Sequence, residues 1–261
     1  MNRLGEQLQT IKAKHKIGLM THVIVGYPDL ETTISLVKTM AENGVDIVEL
    51  QIPFSDPLAD GPTIMRACEK SLEQGTKVKD AFIAMERLTK EVSIPLLFMA
   101  YYNTVFVYGV EKFCHDAKAA GASGLIVPDM PLDEESEEHF FAACKKYDLH
   151  HIQVISPAST ESRLKKNAEI ANGFVYFTAK QGTTGAQDSL DPQLQSHLEK
   201  IKHYFDVPIA VGFGISSKEH VSMLEQNADI AVIGSKIINI VDNSAINERE
   251  QNVAKFLRGL E

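Results

Sequence analysis

The chain has 261 residues, of which 44% are hydrophobic and 23% charged, an ordinary composition for a globular protein with a sizeable core. Its net charge of -9 argues against nucleic acid or an anionic membrane as a partner. No apolar run could span a bilayer, and the amino terminus lacks the hydrophobic centre of a signal peptide. The scattered Cys68, Cys114 and Cys144 favour reduced thiols in the cytoplasm over a disulfide framework or zinc site.

The chain is predicted to begin with a helix and to continue with strands and helices in alternation. Leu4, Leu8 and Ile11 share one face of the first helix. The strand patterns are continuous apolar runs, as expected for strands that are covered by helices on both faces. The predicted strands lie at 19–25, 45–50, 95–101, 124–129, 151–156, 174–179, 208–213 and 230–235.

Eight strand–helix repeats predict a (β/α)8 barrel, also called a TIM barrel, with the N-terminal helix and further helices added. The chain has no linker and no break in composition, so we expect one domain over residues 1–261. The alternative fold is a doubly wound open sheet. In a barrel the active site lies at the carboxyl ends of the strands, which makes the residues there the functional candidates.

The segment VELQIPFSDPLADGP at 48–62 contains the most informative carboxylates. Glu49 lies in an otherwise apolar strand, where a carboxylate is costly unless it is paired or functional. A buried carboxyl of this kind suits a general acid or base. Asp56 and Asp60 follow in the next loop, and Asp56 lies in Ser-Asp-Pro, a common turn sequence with a structural role by default.

Glycines lie at the ends of the last two predicted strands. Gly212 and Gly214 precede a helix with a serine cap, and Gly234 and Ser235 precede the helical segment KIINIV. Glycines allow backbone N–H groups to approach a ligand closely, and helix N-termini favour anions. Together these loops predict a phosphate site in the usual place for such barrels.

The segment VELQIPFSDPLADGPTI closely resembles the signature of the tryptophan synthase alpha subunit family. Further matches follow in chain order, so the resemblance covers essentially the whole chain and implies a (β/α)8 barrel. They are VGYPD at 25–29, MAYYN at 99–103, VPDMP at 127–131, GTTGA at 182–186, GFGIS at 212–216 and IGS at 233–235.

The resemblance implies a lyase of tryptophan biosynthesis. Members of the family cleave indole-3-glycerol phosphate to indole and glyceraldehyde 3-phosphate by a retro-aldol reaction, without a cofactor on the alpha chain. Indole then passes to a beta subunit, where pyridoxal phosphate joins it to serine. The expected assembly is a cytoplasmic alpha2-beta2 heterotetramer.

The resemblance also implies roles for individual residues. Glu49 corresponds to the general acid–base. Asp60 corresponds to the carboxylate that accepts the indole N–H, and its polar loop suggests that it stays ionised. The other implied positions are Tyr176, Tyr101, Phe213, Ile126 and Thr184 for substrate, Gly185, Gly214, Gly234 and Ser235 for phosphate, and Pro53 and Asp56 for the beta-subunit interface.

Several residues depart from the family pattern. Gln51 stands where the signature has glycine, and we expect its side chain to narrow the pocket or to hydrogen-bond a catalytic group. Lys180 replaces an arginine and lacks the planar fork of a guanidinium. Lys236 is a further candidate contact for phosphate. The remaining departures are Thr21 and His22, in place of an aromatic–proline arrangement, and Thr183.

Two other functions remain open from the sequence. One is another phosphate-binding barrel, such as a sugar-phosphate isomerase or epimerase. A metal-dependent epimerase would need histidine ligands, and His22 and His151 form no ligand cluster in the sequence. The other is a subunit that mainly activates its partner while its own catalysis is altered, which Gln51 and Lys180 keep open.

Overall fold

The computed structural model describes residues 2–130, 132–178, 193–212 and 214–260. Within these ranges eight parallel strands form a closed barrel in which each strand pairs with the next and β8 pairs with β1. The predicted barrel is therefore confirmed and the open sheet is wrong. The strands are β1 Gly18–Ile24, β2 Ile47–Gln51, β3 Leu96–Met99, β4 Gly124–Ile126, β5 His150–Ile155, β6 Val175–Thr178, β7 Ile209–Gly212 and β8 Ile230–Ile233.

Helices follow the strands and cover the outside of the barrel. In the described ranges they are α1 Arg3–Lys14, α2 Leu30–Glu42, α3 Pro62–Glu73, α4 Val78–Glu91, α5 Tyr102–Tyr108, α6 Val110–Ala119, α7 Glu135–Glu138, α8 Phe140–Lys146, α9 Glu161–Ile170, α10 Leu194–Lys202, α11 Lys218–Leu224, α12 Ser235–Asp242 and α13 Arg249–Arg258. Short 3-10 helices lie at Leu132–Glu134 and Ile246–Glu248. No helix in these ranges is long and apolar enough to cross a membrane.

The predicted N-terminal helix packs against the inside of the barrel. Leu4, Leu8 and Ile11 of α1 are buried in one cluster with interior strand residues that include Met20 and Ile47. The side chain of Asn2 accepts hydrogen bonds from the first N–H groups of α1 and so caps the helix. This helix therefore covers the amino-terminal end of the barrel and leaves the carboxyl end for the site.

The register of the first two strands determines which polar side chains meet inside the barrel. His22 of β1 pairs with Glu49 of β2, and Ile24 pairs with Gln51. Residues two apart on a strand face the same side. Glu49 and Gln51 therefore both point inward, with His22 beside the first of them.

Some element ends differ from the predicted ones for local chemical reasons. β4 ends at Ile126 rather than at residue 129, because Pro128 has no N–H with which to continue the ladder. The predicted serine cap of α11 is Ser217, whose side chain accepts from the N–H of His220.

Candidate active site

A cleft of about 740 Å³, including its open mouth, lies at the carboxyl ends of the strands. This position is typical of small-molecule sites in such barrels. The described residues that line it are His22, Glu49, Ala59, Asp60, Ile64, Met99, Ile126, Pro128, Val154, Tyr176, Thr178, Gly212, Gly214, Val232, Gly234 and Ser235. The barrel thus brings together the predicted Glu49, Asp60, Ile126, Tyr176, Gly214, Gly234 and Ser235.

Glu49 is 1% exposed and sits deep in the cleft. Its Oε1 lies 2.9 Å from Nδ1 of His22 and 3.4 Å from the hydroxyl of Tyr176, which donates to it. Burial and the negative charge of Glu49 raise the pKa of Tyr176 well above its usual value, so this phenol keeps its proton. The carboxyl is therefore held by two neighbours on one oxygen.

Asp60 is buried, although its loop is polar in sequence. It is 7% exposed, and Nε2 of Gln51 donates to its Oδ2 at 2.7 Å. Burial raises the pKa of Asp60, and the nearby His22, Gln51 and Tyr101 offset this effect only in part. Asp60 is therefore not solvated as its polar sequence context suggested, because the loop folds back over the end of β2, and its ionised state stays a prediction.

The backbone around the last two strands has the form expected of a phosphate cradle. Gly214 has φ +64°, a conformation that glycine adopts without strain. Gly234 is the N-cap residue of α12, and the buried Ser235 is the first residue of that helix. The first N–H groups of a helix have no partner within it, so they are available to an anion. Lys236 instead places its ammonium 5.7 Å from the ring centre of Phe256.

Tyr101 supports the Asp60 loop. Its ring stacks on Phe54 with centroids 5.3 Å apart, and its hydroxyl accepts from the N–H of Ala59 at 3.0 Å. Among the described residues, Met99 lines the cleft from β3 and Tyr101 does not. Tyr101 therefore acts on the site through this loop, at the backbone of Ala59 and at the carboxyl of Asp60.

The remaining predicted positions divide into two groups. Pro53 is buried, while Asp56 is exposed on the loop after β2. The predicted contacts at Thr184, Gly185 and Phe213, and the departures at Lys180 and Thr183, lie outside the described residues.

The sequence interpretation missed the principal partner of Glu49. His22 was noted only as a departure and as a weak metal candidate, yet it is buried against the carboxylate. The signal that would have found it is the pairing of β1 with β2, which cannot be read from one strand alone. The cleft residues Met99, Val154 and Val232 were missed as well, because they look like ordinary core positions in the sequence.

The described residues contain no group of three or more histidine, cysteine, aspartate or glutamate side chains that could hold a metal ion. His151 hydrogen-bonds with Gln153 and Asn172. Burial lowers the pKa of His151 to about 4, so the ring is neutral near pH 7. The chemistry that the cleft offers is proton transfer between two buried carboxyl groups and a ligand, with an anion at the start of α12.

A family model described as tryptophan synthase alpha chain matches residues 8–260. The chain is 45% identical to the tryptophan synthase alpha chain of Desulfotalea psychrophila, over 92% of this chain and 94% of that one. It is 39% identical to the same protein of Aquifex aeolicus, over 100% and 99% of the two chains. It superposes on a solved tryptophan synthase of Mycobacterium tuberculosis with a TM-score of 0.90 at 33% identity, over 99% and 96%. The solved alpha subunit of Legionella pneumophila has a TM-score of 0.90 at 30% identity, over 100% and 97%.

Proposed function

The chain belongs to the tryptophan synthase alpha chain family, and from that premise we propose that it cleaves indole-3-glycerol phosphate to indole and glyceraldehyde 3-phosphate. The observation that carries the proposal is the pair of buried carboxyl groups, Glu49 and Asp60, on one cleft that ends at the N-terminus of α12. Neither an isomerase nor a catalytically altered activating subunit is favoured by the family or by the two carboxyls.

Glu49 is proposed as the general acid–base. It donates a proton to C3 of the indole ring, which places positive charge on the ring nitrogen. It then accepts the proton of the adjacent hydroxyl as the carbon–carbon bond breaks and the aldehyde forms. The electron pair of that bond returns to the ring and neutralises the nitrogen, so protons and electrons balance over the two steps. Burial of Glu49 keeps water from competing for these protons.

Asp60 is proposed to accept the indole N–H and to stabilise the charge that develops there. Its carboxylate is costly to bury, and a cation in the cleft offsets this cost. The interaction is therefore stronger in the charged transition state than with neutral substrate, which is the requirement for an effect on kcat. Gln51 holds Oδ2 of Asp60 in place for this contact.

The other end of the substrate carries phosphate. We assign it to the backbone N–H groups around Gly214, Gly234 and Ser235, where a helix N-terminus favours a dianion. Of the positions outside the described residues, Thr184, Gly185 and Phe213 remain proposed contacts on the strength of the family resemblance. Binding energy from the phosphate then orients the indole ring between Glu49 and Asp60.

These steps are proton transfers that the chain's own carboxyl groups supply, so we propose that it needs no cofactor and that pyridoxal phosphate belongs to the beta subunit. We also propose an alpha2-beta2 assembly. It is supported by the exposed apolar side chains of Leu58, Phe106 and Val107, with exposed fractions of 89%, 57% and 76%, on the connections that follow β2 and β3. Together with the exposed Asp56 they form the proposed partner surface, whereas Pro53 is buried and is proposed for the interface only from the family resemblance. The three unpaired cysteines support a cytoplasmic location.

The test is the release of indole from indole-3-glycerol phosphate, with and without a cognate beta subunit. We expect the beta subunit to accelerate release and Glu49→Gln to lower it by at least about 100-fold, the usual contribution of a general acid–base. Glu199→Gln, at an exposed position of α10, is the matched control and should leave the rate unchanged. A folded wild-type chain that releases no indole in either condition would rule out the proposed function.

A further inference from the structure

Four polar side chains are buried side by side where β1 and β2 end. His22, Glu49, Gln51 and Asp60 are 7%, 1%, 0% and 7% exposed. His22 lies directly across from Glu49 and diagonally across from Gln51. Neighbouring strands in a sheet lie about 4.8 Å apart, so long side chains on the same face of adjacent strands can reach one another. The four residues therefore form a local polar group at the carboxyl ends of β1 and β2.

Each of the two carboxyl groups is contacted by a residue that departs from the family pattern. Nδ1 of His22 lies 2.9 Å from Oε1 of Glu49, and Nε2 of Gln51 donates to Oδ2 of Asp60 at 2.7 Å. Because the amide nitrogen of Gln51 faces Asp60, its oxygen is left on the other side. The same holds for His22, whose second ring nitrogen faces away from Glu49.

The second ring nitrogen of His22 and the amide oxygen of Gln51 have no hydrogen-bond partner among the described residues. Three buried polar side-chain atoms lack a hydrogen-bond partner in the described part of the chain, and two of them are Nε2 of His22 and Oε1 of Gln51. An unsatisfied buried polar atom is unfavourable, because it has lost its hydrogen bonds to water without gaining a new one. The two atoms are complementary, since a protonated Nε2 donates and a carbonyl oxygen accepts. One small rotation or one bridging water would satisfy both.

The charges around His22 favour its protonated form. Burial alone opposes the charge, but the carboxylate of Glu49 and its hydrogen bond, the charge of Asp60 and the Gln51 side chain raise the pKa of His22 above its usual value. Among the described residues, the charged groups that act on His22 are Glu49 on β2 and Asp60 on the following loop. Three further titratable groups contact the cluster: Tyr176 on β6 at Glu49, Tyr101 after β3 at Asp60, and Cys68 on α3 at Gln51. From β8 and the start of α12 the ring meets the uncharged Gly234.

We propose that His22 and Gln51 are positioning residues that join Glu49 and Asp60 into one hydrogen-bonded chain, Glu49–His22–Gln51–Asp60. The effect of this arrangement on catalysis rests on the proposed function. The hydrogen-bonded arrangement of the four side chains does not depend on that function. A protonated His22 donates to Glu49 through Nδ1–H and to Gln51 through Nε2–H. The amide of Gln51 then has a single orientation, with its N–H groups toward Asp60.

This chain has a defined consequence for the reaction. It holds one oxygen of Glu49 and leaves the other for exchange with the substrate. His22 keeps its own proton throughout, so no extra step is added. When the pH rises through the pKa of His22, the ring loses one N–H donor, and the hydrogen bond between His22 and Gln51 is lost. We therefore expect kcat to fall along a basic limb that belongs to His22.

The first test measures the titration of His22 by NMR of the imidazole in the full chain. Nine histidines are present, so the signal of His22 is assigned by its loss in His22→Asn. We expect Gln51→Met, which keeps the volume of the side chain, to lower the midpoint of His22. Gln153→Met is the matched control, because Gln153 is a buried glutamine that hydrogen-bonds a different histidine, His151. It should leave the midpoint of His22 unchanged.

The second test is the pH profile of indole release. Asparagine at position 22 can still donate to Glu49 but does not titrate, so His22→Asn should retain kcat within about tenfold and lose the basic limb. His22→Phe, which removes the donor, should lower kcat further with little change in KM. An unchanged midpoint in Gln51→Met together with an unchanged limb in His22→Asn would overturn the proposal. If neither the wild type nor any variant released indole, the result would count against the proposed function alone. The NMR titration would still test whether the four side chains are hydrogen-bonded as proposed.

Discussion

Asp60 is nearly as buried as the core residues around it, and its charge is therefore less well solvated than in the unfolded chain. Burial raises the pKa of its carboxyl, with Gln51 and Tyr101 offsetting part of the effect. A group whose pKa is raised by folding favours the folded state at low pH, and this contribution is lost as the pH rises through the raised pKa. At Asp60 the proposed function and the stability of the fold are therefore opposed.

Replacement of Asp60 by asparagine should separate these two effects. Because asparagine carries no charge and can still accept from Gln51, we expect Asp60→Asn to raise the free energy of unfolding by about 1 kcal/mol at pH 8. The gain should shrink as the pH falls toward 4, since the wild-type carboxyl then takes up a proton. Indole release should fall by about 100-fold or more. Urea titrations across this pH range measure the first effect, with the exposed Asp206→Asn as control. A gain that is the same at every pH would contradict the assigned cause.

Gly212 controls the position of Tyr176. A Cβ atom at Gly212 would lie 2.7 Å from Cε1 and 2.8 Å from the hydroxyl of Tyr176, too close for either to stay. Gly212→Ala should therefore move the phenol away from Glu49 and lower kcat/KM about tenfold, with a loss of stability near 1 kcal/mol. In a Tyr176→Leu background the same change should add little further loss of activity. Additive losses in the double variant would show that Gly212 acts by another route.

The strands and helices were predictable because their patterns are local. A continuous apolar run identifies β3, β7 and β8 whatever lies beside them, and all eight predicted strands are present. Their ends were less predictable, since they depend on tertiary hydrogen bonds. The run at 95–101 shortens to β3, and Tyr101 at its end turns aside to stack on Phe54. That turn explains why Tyr101 supports a loop rather than lining the cleft.

The N-cap residue of α2, Asp29, stabilises the start of that helix. Oδ1 of Asp29 accepts from the N–H of Thr32 at 2.8 Å, and Oδ2 accepts from the hydroxyl of Thr32 at 2.7 Å. Loss of such a cap costs about 1 kcal/mol. Asp29→Ala should lower the free energy of unfolding by this amount in urea titrations, while Asp29→Asn, which can still cap, should lower it by less than half as much. Equal losses in the two variants would mean that the charge, not the cap, stabilises α2.

Closure of the barrel brings together residues whose contacts cannot be predicted from any single segment of the sequence. Glu49 and Asp60 could be selected from the sequence because a carboxylate in an apolar strand, or in a loop at its end, is conspicuous. The partnership of Glu49 with His22 depends on the register of β1 against β2, and Ile126 and Gly234 join the cleft only when distant strands close the ring. The burial of Asp60 depends on the path of its loop, which its polar sequence did not indicate.

The proposed partner surface involves the whole molecule, because it lies at the carboxyl end of the barrel, beside the cleft. Phe106 and Val107 on α5 and Leu58 on the loop after β2 are exposed apolar side chains, and aromatic side chains in interfaces often dominate binding. We expect Phe106→Ser to weaken binding of the beta subunit by at least about tenfold, equivalent to 1.4 kcal/mol. The isolated chain should keep its own rate of indole release within about twofold.

The matched control is Ile246→Ser. Ile246 is 78% exposed, yet it follows α12, which begins at the carboxyl end and leads away from it, so it lies outside the proposed surface. Calorimetric titration with the beta subunit gives the two affinities, and indole release at saturating beta subunit gives the stimulation. With Phe106→Ser, stimulation should return once enough beta subunit is added, because Phe106 contributes to docking and not to the proton transfers. If Ile246→Ser weakens binding as much as Phe106→Ser, the contact lies elsewhere on the barrel.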